Sequence, residues 1–168
     1  MSITDNQFPG CCPPPADDGA YLCVLASGSA GNCSLLALRR RGQTRALLLD
    51  LGLSPRRTFR LMAEMGLGPH QLDGALVTHL DHDHVHAGWP RQMPPHARVY
   101  MHSHHAHRAS ADRWSVASFD GDFALDPDVH ARPLMMSHDE AGVATFRLEF
   151  SGQLTPGRPR AALGFATD

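Results

Sequence analysis

The chain has 168 residues, with 42% hydrophobic and 19% charged residues, values typical of one globular domain and not of a disordered chain. Its 15 basic and 17 acidic residues give a net charge of −2, which excludes a chain-wide electrostatic grip on nucleic acid but permits a local basic groove. We find no membrane-length apolar run and no signal-peptide pattern, so we expect no membrane partner and a cytoplasmic location.

The domain boundaries follow from composition. Residues 1–19 are predicted to form a flexible Pro-rich leader, because a run of three prolines and an Asp-Asp-Gly run cannot build a core. Residues 20–168 are predicted to form one domain. No C-x-x-C pair is present, and we interpret Cys23 and Cys33 as small core residues.

The first half of the domain carries clear local signals. Short apolar runs predict strands over residues 20–26, 33–39 and 45–51, with a hairpin between the last two. Ser54-Pro55 predicts a helix start, an N-cap followed by proline, and the helix is predicted to end at Gly66. A Met-bearing stripe on this helix indicates packing.

Further short strands are predicted over residues 74–79 and 97–102. Four more are predicted in the segments F-D-G-D-F-A-L, V-H-A-R-P-L-M, V-A-T-F-R-L-E-F and A-A-L-G-F-A-T. A strand-rich chain with one or two helices favours an α+β fold in which one sheet packs on another and helices lie outside.

Histidine is the unusual residue, with twelve in the chain. The stretch T-H-L-D-H-D-H-V-H-A-G, residues 78–88, directly follows a predicted strand and contains an H-x-D-x-D-H set able to serve two adjacent metal positions: His79, Asp81, Asp83 and His84. Imidazole and carboxylate are ligands shared by zinc, manganese and iron. A metal open to water would provide hydroxide as a nucleophile near neutral pH.

This stretch resembles the T-H-x-H-x-D-H-x-x-G signature of the metallo-β-lactamase fold superfamily. The resemblance extends through V-L-A-S-G-S-A-G-N, L-L-L-D-L-G-L-S, M-M-S-H-D-E-A-G and the terminal A-L-G-F-A-T-D, and covers about residues 20 to 168. The order of these segments is similar to that of the YycJ-type exonucleases and PhnP-type phosphodiesterases. It implies an αββα sandwich and a pair of divalent metal ions, zinc first, with manganese or iron as alternatives.

Carried over by position, the resemblance implies a role for each ligand. His79, Asp81 and His138 would hold the first metal, while Asp83 and His84 would hold the second. Asp168 would bridge the two metals, and Asp83 would also orient the attacking water as the catalytic residue. Asp50 would support the ligands without binding a metal itself.

Two departures from the family pattern stand out. Asp81 occupies a position where the common motif has histidine, and an oxygen donor there would favour manganese or iron over zinc. His82 is the alternative, but it would break the spacing from His79. The family's last histidine ligand and the rest of its second β/α half would lie after residue 168, so we expect a domain that is incomplete at its C-terminus.

Other polar residues have two interpretations each. Ser27, Ser29 and Asn32, in the glycine-rich turn, could meet a substrate phosphate or simply form a tight turn. His86 could approach the substrate or be solvated, and the stretch M-H-S-H-H-A-H-R could be an extra metal site or a polar wall of the substrate groove. Two arginine clusters, at residues 39–45 and 56–60, could contact phosphates or be solvated surface.

The residues predict a metal-binding site, and the family resemblance implies a metal-dependent hydrolase, specifically a phosphodiesterase or nuclease, with a phosphodiester and possibly nucleic acid as its partner. A thioester or lactone hydrolase of the same fold is the alternative enzyme. A degenerate, non-catalytic metal-binding domain is the alternative outside enzymes. The sequence leaves the oligomeric state open.

Overall fold

The computed structural model describes residues 13–109, 114–137, 142–155 and 161–166. Two sheets dominate it. The first has six strands in the order β1-β2-β3-β4-β5-β6, namely Gly19–Ala26, Cys33–Arg40, Gln43–Leu49, Leu72–Leu76, Arg98–His102 and Ser115–Phe119. The second has four strands in the order β10-β9-β8-β7, where β7 to β10 are Phe123–Asp126, Val129–Met136, Val143–Phe150 and Ala161–Phe165.

Strand directions in the first sheet position the candidate site. Strands β1, β2 and β3 are antiparallel neighbours, whereas β3, β4, β5 and β6 are mutually parallel. The carboxyl ends of these four parallel strands therefore meet at one edge of the sheet, where ligand sites of such sheets are commonly found. The second sheet is antiparallel throughout.

Each face of the first sheet buries its own apolar cluster. One face packs on the second sheet, with Leu36, Leu49 and Phe146 in the shared core. The opposite face packs under helix α1, Pro55–Glu64, and buries Leu35, Leu48 and similar residues. Because β2 is covered on both faces, its sequence is a continuous apolar run instead of an alternating one. The predicted α+β sandwich with a helix outside is confirmed.

Helix α1 is the element whose local signals are clearest. Ser54 is its N-cap and accepts a hydrogen bond from the Arg57 amide at 3.4 Å, and Pro55 is its first residue. Gly66 follows the helix with φ of 75°, a left-handed conformation that suits glycine. Met62 and Met65 are buried against the first sheet, as the predicted packing stripe requires.

Two shorter helices follow, α2 at Trp89–Gln92 and α3 at Ser103–Ala106, and single 3₁₀ turns lie at Pro69–Gln71 and Gly152–Leu154. The segment F-D-G-D-F-A-L is not one strand: β6 ends at Phe119, and β7 begins at Phe123 in the other sheet. The Asp-Gly-Asp sequence between them forms the turn that changes sheets, and β6 itself was not predicted. Among helices in the described ranges, none is long and apolar enough to cross a membrane.

The N-terminal segment and the cysteines complete the fold. Asp18 accepts hydrogen bonds from the backbone amides of Arg41 and Gly42 at the β2–β3 turn. Cys33 is a buried core residue with a free thiol, as predicted. Cys23 is half-buried and packs against the core beneath α1, as predicted, and it is also disulfide-bonded.

Candidate metal centre

The candidate site lies where β3 and β4 end, in the loop formed by residues 77–88. The loop turns tightly, since the amides of His84 and Val85 both donate to the Asp81 carbonyl, at 2.9 and 2.8 Å. It is held beside the chain that follows β3 by two further bonds: Leu51 donates to the His84 carbonyl at 2.7 Å, and His86 donates to the Leu51 carbonyl at 2.8 Å. Backbone hydrogen bonds therefore fix the positions of the predicted ligands.

Asp50 is the buried anchor of this loop. Its carboxylate is fully buried and accepts hydrogen bonds from the Thr78 amide at 2.8 Å and from the Thr78 hydroxyl at 3.0 Å. The other oxygen accepts from the His84 Nδ1 at 2.8 Å. Asp50 also has φ of 60°, a conformation that aspartate and asparagine tolerate better than most residues. These contacts place the Asp50 carboxylate against Thr78 and His84, and its supporting role at the site stays a prediction.

The hydrogen bonds assign the tautomers of both candidate histidine ligands. Thr78 donates its one hydroxyl proton to Asp50, so its oxygen accepts from the His79 Nδ1 at 3.0 Å. His84 donates its own Nδ1 proton to Asp50. A neutral imidazole with its proton on Nδ1 carries a lone pair on Nε2. This is the arrangement in which a histidine binds metal through Nε2 while its other nitrogen is held by an acceptor.

The candidate ligands fall into two neighbouring pairs. His79 Nε2 lies 3.5 Å from Asp81 Oδ2, and His84 Nε2 lies 3.6 Å from Asp83 Oδ2. The two imidazole rings are 4.0 Å apart between centroids, so the pairs adjoin. Both histidines are buried, whereas Asp81 is 52% and Asp83 24% exposed, which leaves the carboxylates open to solvent.

The donor set fits divalent cations in kind. Each pair combines an imidazole nitrogen with a carboxylate oxygen, ligands that zinc, manganese and iron accept. Within the described ranges, no three His, Cys, Asp or Glu side chains converge closely enough to complete a metal site. The predicted third ligand, His138, and the predicted bridging ligand, Asp168, lie outside the described residues.

Asn32 connects the glycine-rich turn with the second pair. Its side-chain nitrogen lies 3.3 Å from Asp83 Oδ2 and 3.0 Å from His84 Nε2, and its backbone amide donates to the Asp83 carbonyl at 2.6 Å. Its side-chain oxygen accepts from the Gly28 amide at 2.9 Å. Of the three candidates in this turn, Asn32 contacts the second ligand pair, whereas Ser27 and Ser29 are exposed on the surface of the turn.

Gly52 lies where the backbone approaches the backbones of Asn32 and Asp83 closely. A Cβ built on Gly52 would lie 1.8 Å from the Asp83 carbonyl oxygen and 2.5 Å from the Asn32 amide nitrogen. Only glycine lets these three segments meet. Neither Gly52 nor Thr78 was assigned a role from the sequence, although Thr78 directly precedes His79 and Gly52 follows Asp50 by two residues.

The remaining histidines occupy the surroundings. His86 is exposed, and its Nδ1 accepts from the Gly88 amide. At the end of β5, His102 is buried and has its Nε2 3.9 Å from Asp120, while His105 in α3 is buried and lies 3.1 Å from the Gly142 carbonyl. Burial lowers the pKa of His102, and the neighbouring His104 lowers it further. These contacts place His102 and Asp120 at the same sheet edge as the candidate ligands.

Three comparisons place this chain among known proteins. A family model described as the metallo-beta-lactamase superfamily matches residues 26–149. Exodeoxyribonuclease WalJ of Streptococcus pneumoniae serotype 2 (strain D39) is 41% identical over 63 residues, which make up 38% of this chain and 22% of that protein. The alignment therefore spans well under two thirds of this relative.

Solved structures show the same fold at low identity. The Rm3 metallo-beta-lactamase aligns with a TM-score of 0.61 at 14% identity, over 93% of this chain and 65% of that chain. A diphosphatase from the PhnP family aligns with a TM-score of 0.52 at 16% identity, over 75% of this chain and 54% of that chain. Since the family model covers most of the sequence and the two-sheet architecture agrees with it, the chain belongs to the metallo-beta-lactamase superfamily.

Proposed function

We propose that this protein is a divalent-metal-dependent phosphodiesterase whose substrate is nucleic acid. The observation that carries the proposal is the pair of adjoining imidazole–carboxylate sets, with both histidines held at Nδ1 so that Nε2 can bind metal. The names of two similar proteins, an exodeoxyribonuclease and a diphosphatase, support a phosphorus–oxygen bond as the target. Bound divalent cations would supply Lewis acidity that activates water and stabilises charge on phosphoryl oxygens.

The chain's own residues would divide the remaining work. His79 and Asp81 would hold one cation, and Asp83 and His84 the other, with His138 and Asp168 as the further predicted ligands. Asp83 is partly exposed and bonded to Asn32, so its carboxylate can also accept a hydrogen bond from the attacking water and orient it.

Asp50 and Thr78 would keep both imidazoles in their binding tautomer through the hydrogen bonds already described. Their contribution is geometric: a histidine that rotated or changed tautomer would no longer present Nε2 to the site. Because both residues are buried, water cannot replace these hydrogen bonds, and the arrangement is preorganised.

The direct test combines metal analysis with an assay on bis-p-nitrophenyl phosphate, a small phosphodiester. We expect co-purifying divalent metal and measurable turnover. Asp83→Ala should reduce turnover by roughly 10²- to 10⁴-fold, the range for loss of a group that positions or deprotonates the nucleophile. Asp122→Ala, a change to an exposed aspartate paired with Arg132 on the second sheet, is the matched control and should leave turnover unchanged.

The same preparation separates the alternatives. Hydrolysis of a lactone or thioester without hydrolysis of the diester would replace the proposal with the alternative enzyme. Tight metal binding without turnover of any ester would indicate a non-catalytic domain. Equal turnover by the wild type and Asp83→Ala would contradict the proposed site.

A further inference from the structure

The chain carries two arginine clusters, which differ in how far neighbouring carboxylates neutralise them. In the first, Arg40 pairs with Asp126 and Asp128, and Arg45 pairs with Asp73 at 2.9 Å. These carboxylates neutralise Arg40 and Arg45, and the Asp18 carboxylate interacts electrostatically with Arg39 and Arg41. The ion pairs of Arg40 and Arg45 join the β2–β3 hairpin to its neighbours, so this cluster offers little net charge to a ligand.

The second cluster lies on α1 and is defined here as the α1 arginine face: Arg56, Arg57 and Arg60. All three are exposed and, together with Ser54, line an open pocket of about 400 Å³. Among the described residues, the one carboxylate within ion-pair distance of this face is Glu64, 3.9 Å from Arg60. The first turn of α1 contains no acidic residue. Within the part of the chain that the structure describes, the α1 arginine face therefore carries more positive charge than Glu64 neutralises.

Backbone contacts connect this face with the candidate metal centre. Leu51 is hydrogen-bonded to both His84 and His86, and Ser54 follows it by three residues, a reach of at most about 11 Å of extended chain. Gly88 adjoins Pro55, since a Cβ built on Gly88 would lie 3.2 Å from the proline Cδ. The α1 arginine face consequently begins beside the loop that carries the ligands.

We propose that the α1 arginine face binds consecutive phosphates of a nucleic-acid strand whose scissile diester lies at the metal centre. This inference rests on the proposed function and extends it, because it assigns the surface that holds the strand on one side of the scissile diester. The pocket is lined by arginines and a serine without an aromatic residue, which favours phosphate contacts over base stacking and predicts binding that is independent of sequence.

An anionic membrane surface is the competing partner for a basic helix, and the packing of α1 disfavours it. Helices that bind membranes in this way insert an apolar face next to their basic one. The apolar side of α1 is already committed to the core, with Met62 fully buried and Phe59 packed edge-on against Trp89 at 5.5 Å between ring centroids. The side of α1 that remains exposed carries the three arginines and has no apolar face to insert into a membrane.

The test measures binding of a fluorescein-labelled single-stranded oligonucleotide with phosphorothioate linkages, which resist hydrolysis, by fluorescence anisotropy over a series of salt concentrations. We expect Arg56→Gln/Arg57→Gln to weaken binding at low salt by about tenfold or more and to reduce the slope of log K against log salt by about 1.4, the value for two lost contacts to a single strand. Arg57→Gln alone should show about half of the change in slope.

Arg132→Gln/Arg147→Gln is the matched control. It removes the same charge from exposed strand positions on the second sheet, where both arginines pair with Glu149. The control should bind the oligonucleotide like the wild type. Thermal unfolding followed by circular dichroism should give equal midpoints for both double variants, since all four side chains are exposed.

Three results would overturn the inference: equal affinity and slope for the α1 double variant and its control, wild-type protein that does not bind the oligonucleotide, or wild-type protein that binds phosphatidylserine vesicles instead. Turnover of bis-p-nitrophenyl phosphate by the wild type decides the proposed function separately. If the wild type hydrolyses bis-p-nitrophenyl phosphate and the α1 double variant binds the oligonucleotide as tightly as the wild type does, only this inference fails. If oligonucleotide binding depends on the α1 arginine face but the wild type does not hydrolyse bis-p-nitrophenyl phosphate, only the proposed function fails.

Discussion

Asp50→Asn isolates the contribution of one buried carboxylate to the proposed metal centre. Asparagine has nearly the same shape and tolerates the φ of 60° at this position, so the backbone need not change. The amide retains one oxygen, and the structure offers the side chain three donors: the Thr78 backbone N–H and hydroxyl, both next to Oδ1, and the His84 Nδ1–H next to Oδ2. The backbone N–H has no alternative form, so the amide oxygen should face Thr78 and the NH₂ group should face His84.

This arrangement forces a change of tautomer. Facing an NH₂ donor, His84 Nδ1 must accept, and its ring proton must move to Nε2, the atom assigned to metal binding. Loss of the partner that orients a ligating histidine lowers metal affinity by about 10- to 100-fold, equivalent to about 1.4–2.7 kcal/mol. The free energy of unfolding without metal should change less, because the hydrogen bond to Thr78 persists and a buried charge is removed.

The assay is a competition titration of zinc or manganese against a chromophoric chelator, paired with chemical denaturation of the metal-free protein. Asp73→Asn is the control, an aspartate that is 39% exposed and paired with Arg45 at the opposite end of the parallel strands. Metal affinity in Asp50→Asn within twofold of the wild type would refute the assigned tautomer and the supporting role of Asp50.

Three further predictions concern other positions. Asp81→His should shift the metal preference towards zinc by replacing an oxygen ligand with nitrogen, which parallel titrations with zinc and manganese would detect. Gly52→Ala should destabilise the fold by roughly 1–3 kcal/mol and weaken metal binding, because its Cβ would displace the Asp83 backbone; Gly164→Ala, with open space at the same atom, should be neutral in denaturant titrations. Burial raises the pKa of the Cys33 thiol, and the nearby Asp50 charge raises it further, so iodoacetamide should label this residue only after unfolding, as peptide mass spectrometry would show.

The parts of the fold that the sequence predicted are those with local causes. Helix α1 begins at a Ser-Pro cap and ends at Gly66, and both signals act within one turn of the helix. Strands β1 to β3 are apolar runs bounded by glycine or polar reversals. Strand β6 is a short segment, S-V-A-S-F, whose formation depends on pairing with β5, so its own composition did not distinguish it from a loop.

The candidate site likewise combines residues that local sequence predicted with contacts between distant segments that it could not predict. His79, Asp81, Asp83 and His84 lie in one loop, so their spacing alone suggested two ligand pairs, and the structure brings the pairs together. Their roles as ligands remain predictions. Contacts between distant segments could not be read from spacing, such as the approach of Asn32 to residues more than fifty positions away.

Asp50 was identified through family resemblance, because nothing in the local L-L-L-D-L-G sequence indicates which histidine it would meet. Its partner, His84, lies 34 positions further along the chain. The role of Thr78 was equally hidden, since a threonine before a histidine has no distinctive spacing. The three-way contact among Asp50, Thr78 and His84 is a property of the β3–β4 sheet edge, where the two parallel strands end together.

The most direct test of the central claim is reconstitution of activity. The purified chain would be stripped of metal with a chelator, and its turnover of bis-p-nitrophenyl phosphate would be measured as zinc or manganese is added back. We expect no turnover in the stripped protein and activity that rises with bound metal and saturates when the site is filled. Turnover that is indifferent to stripping, or metal that neither binds nor alters turnover, would contradict that claim.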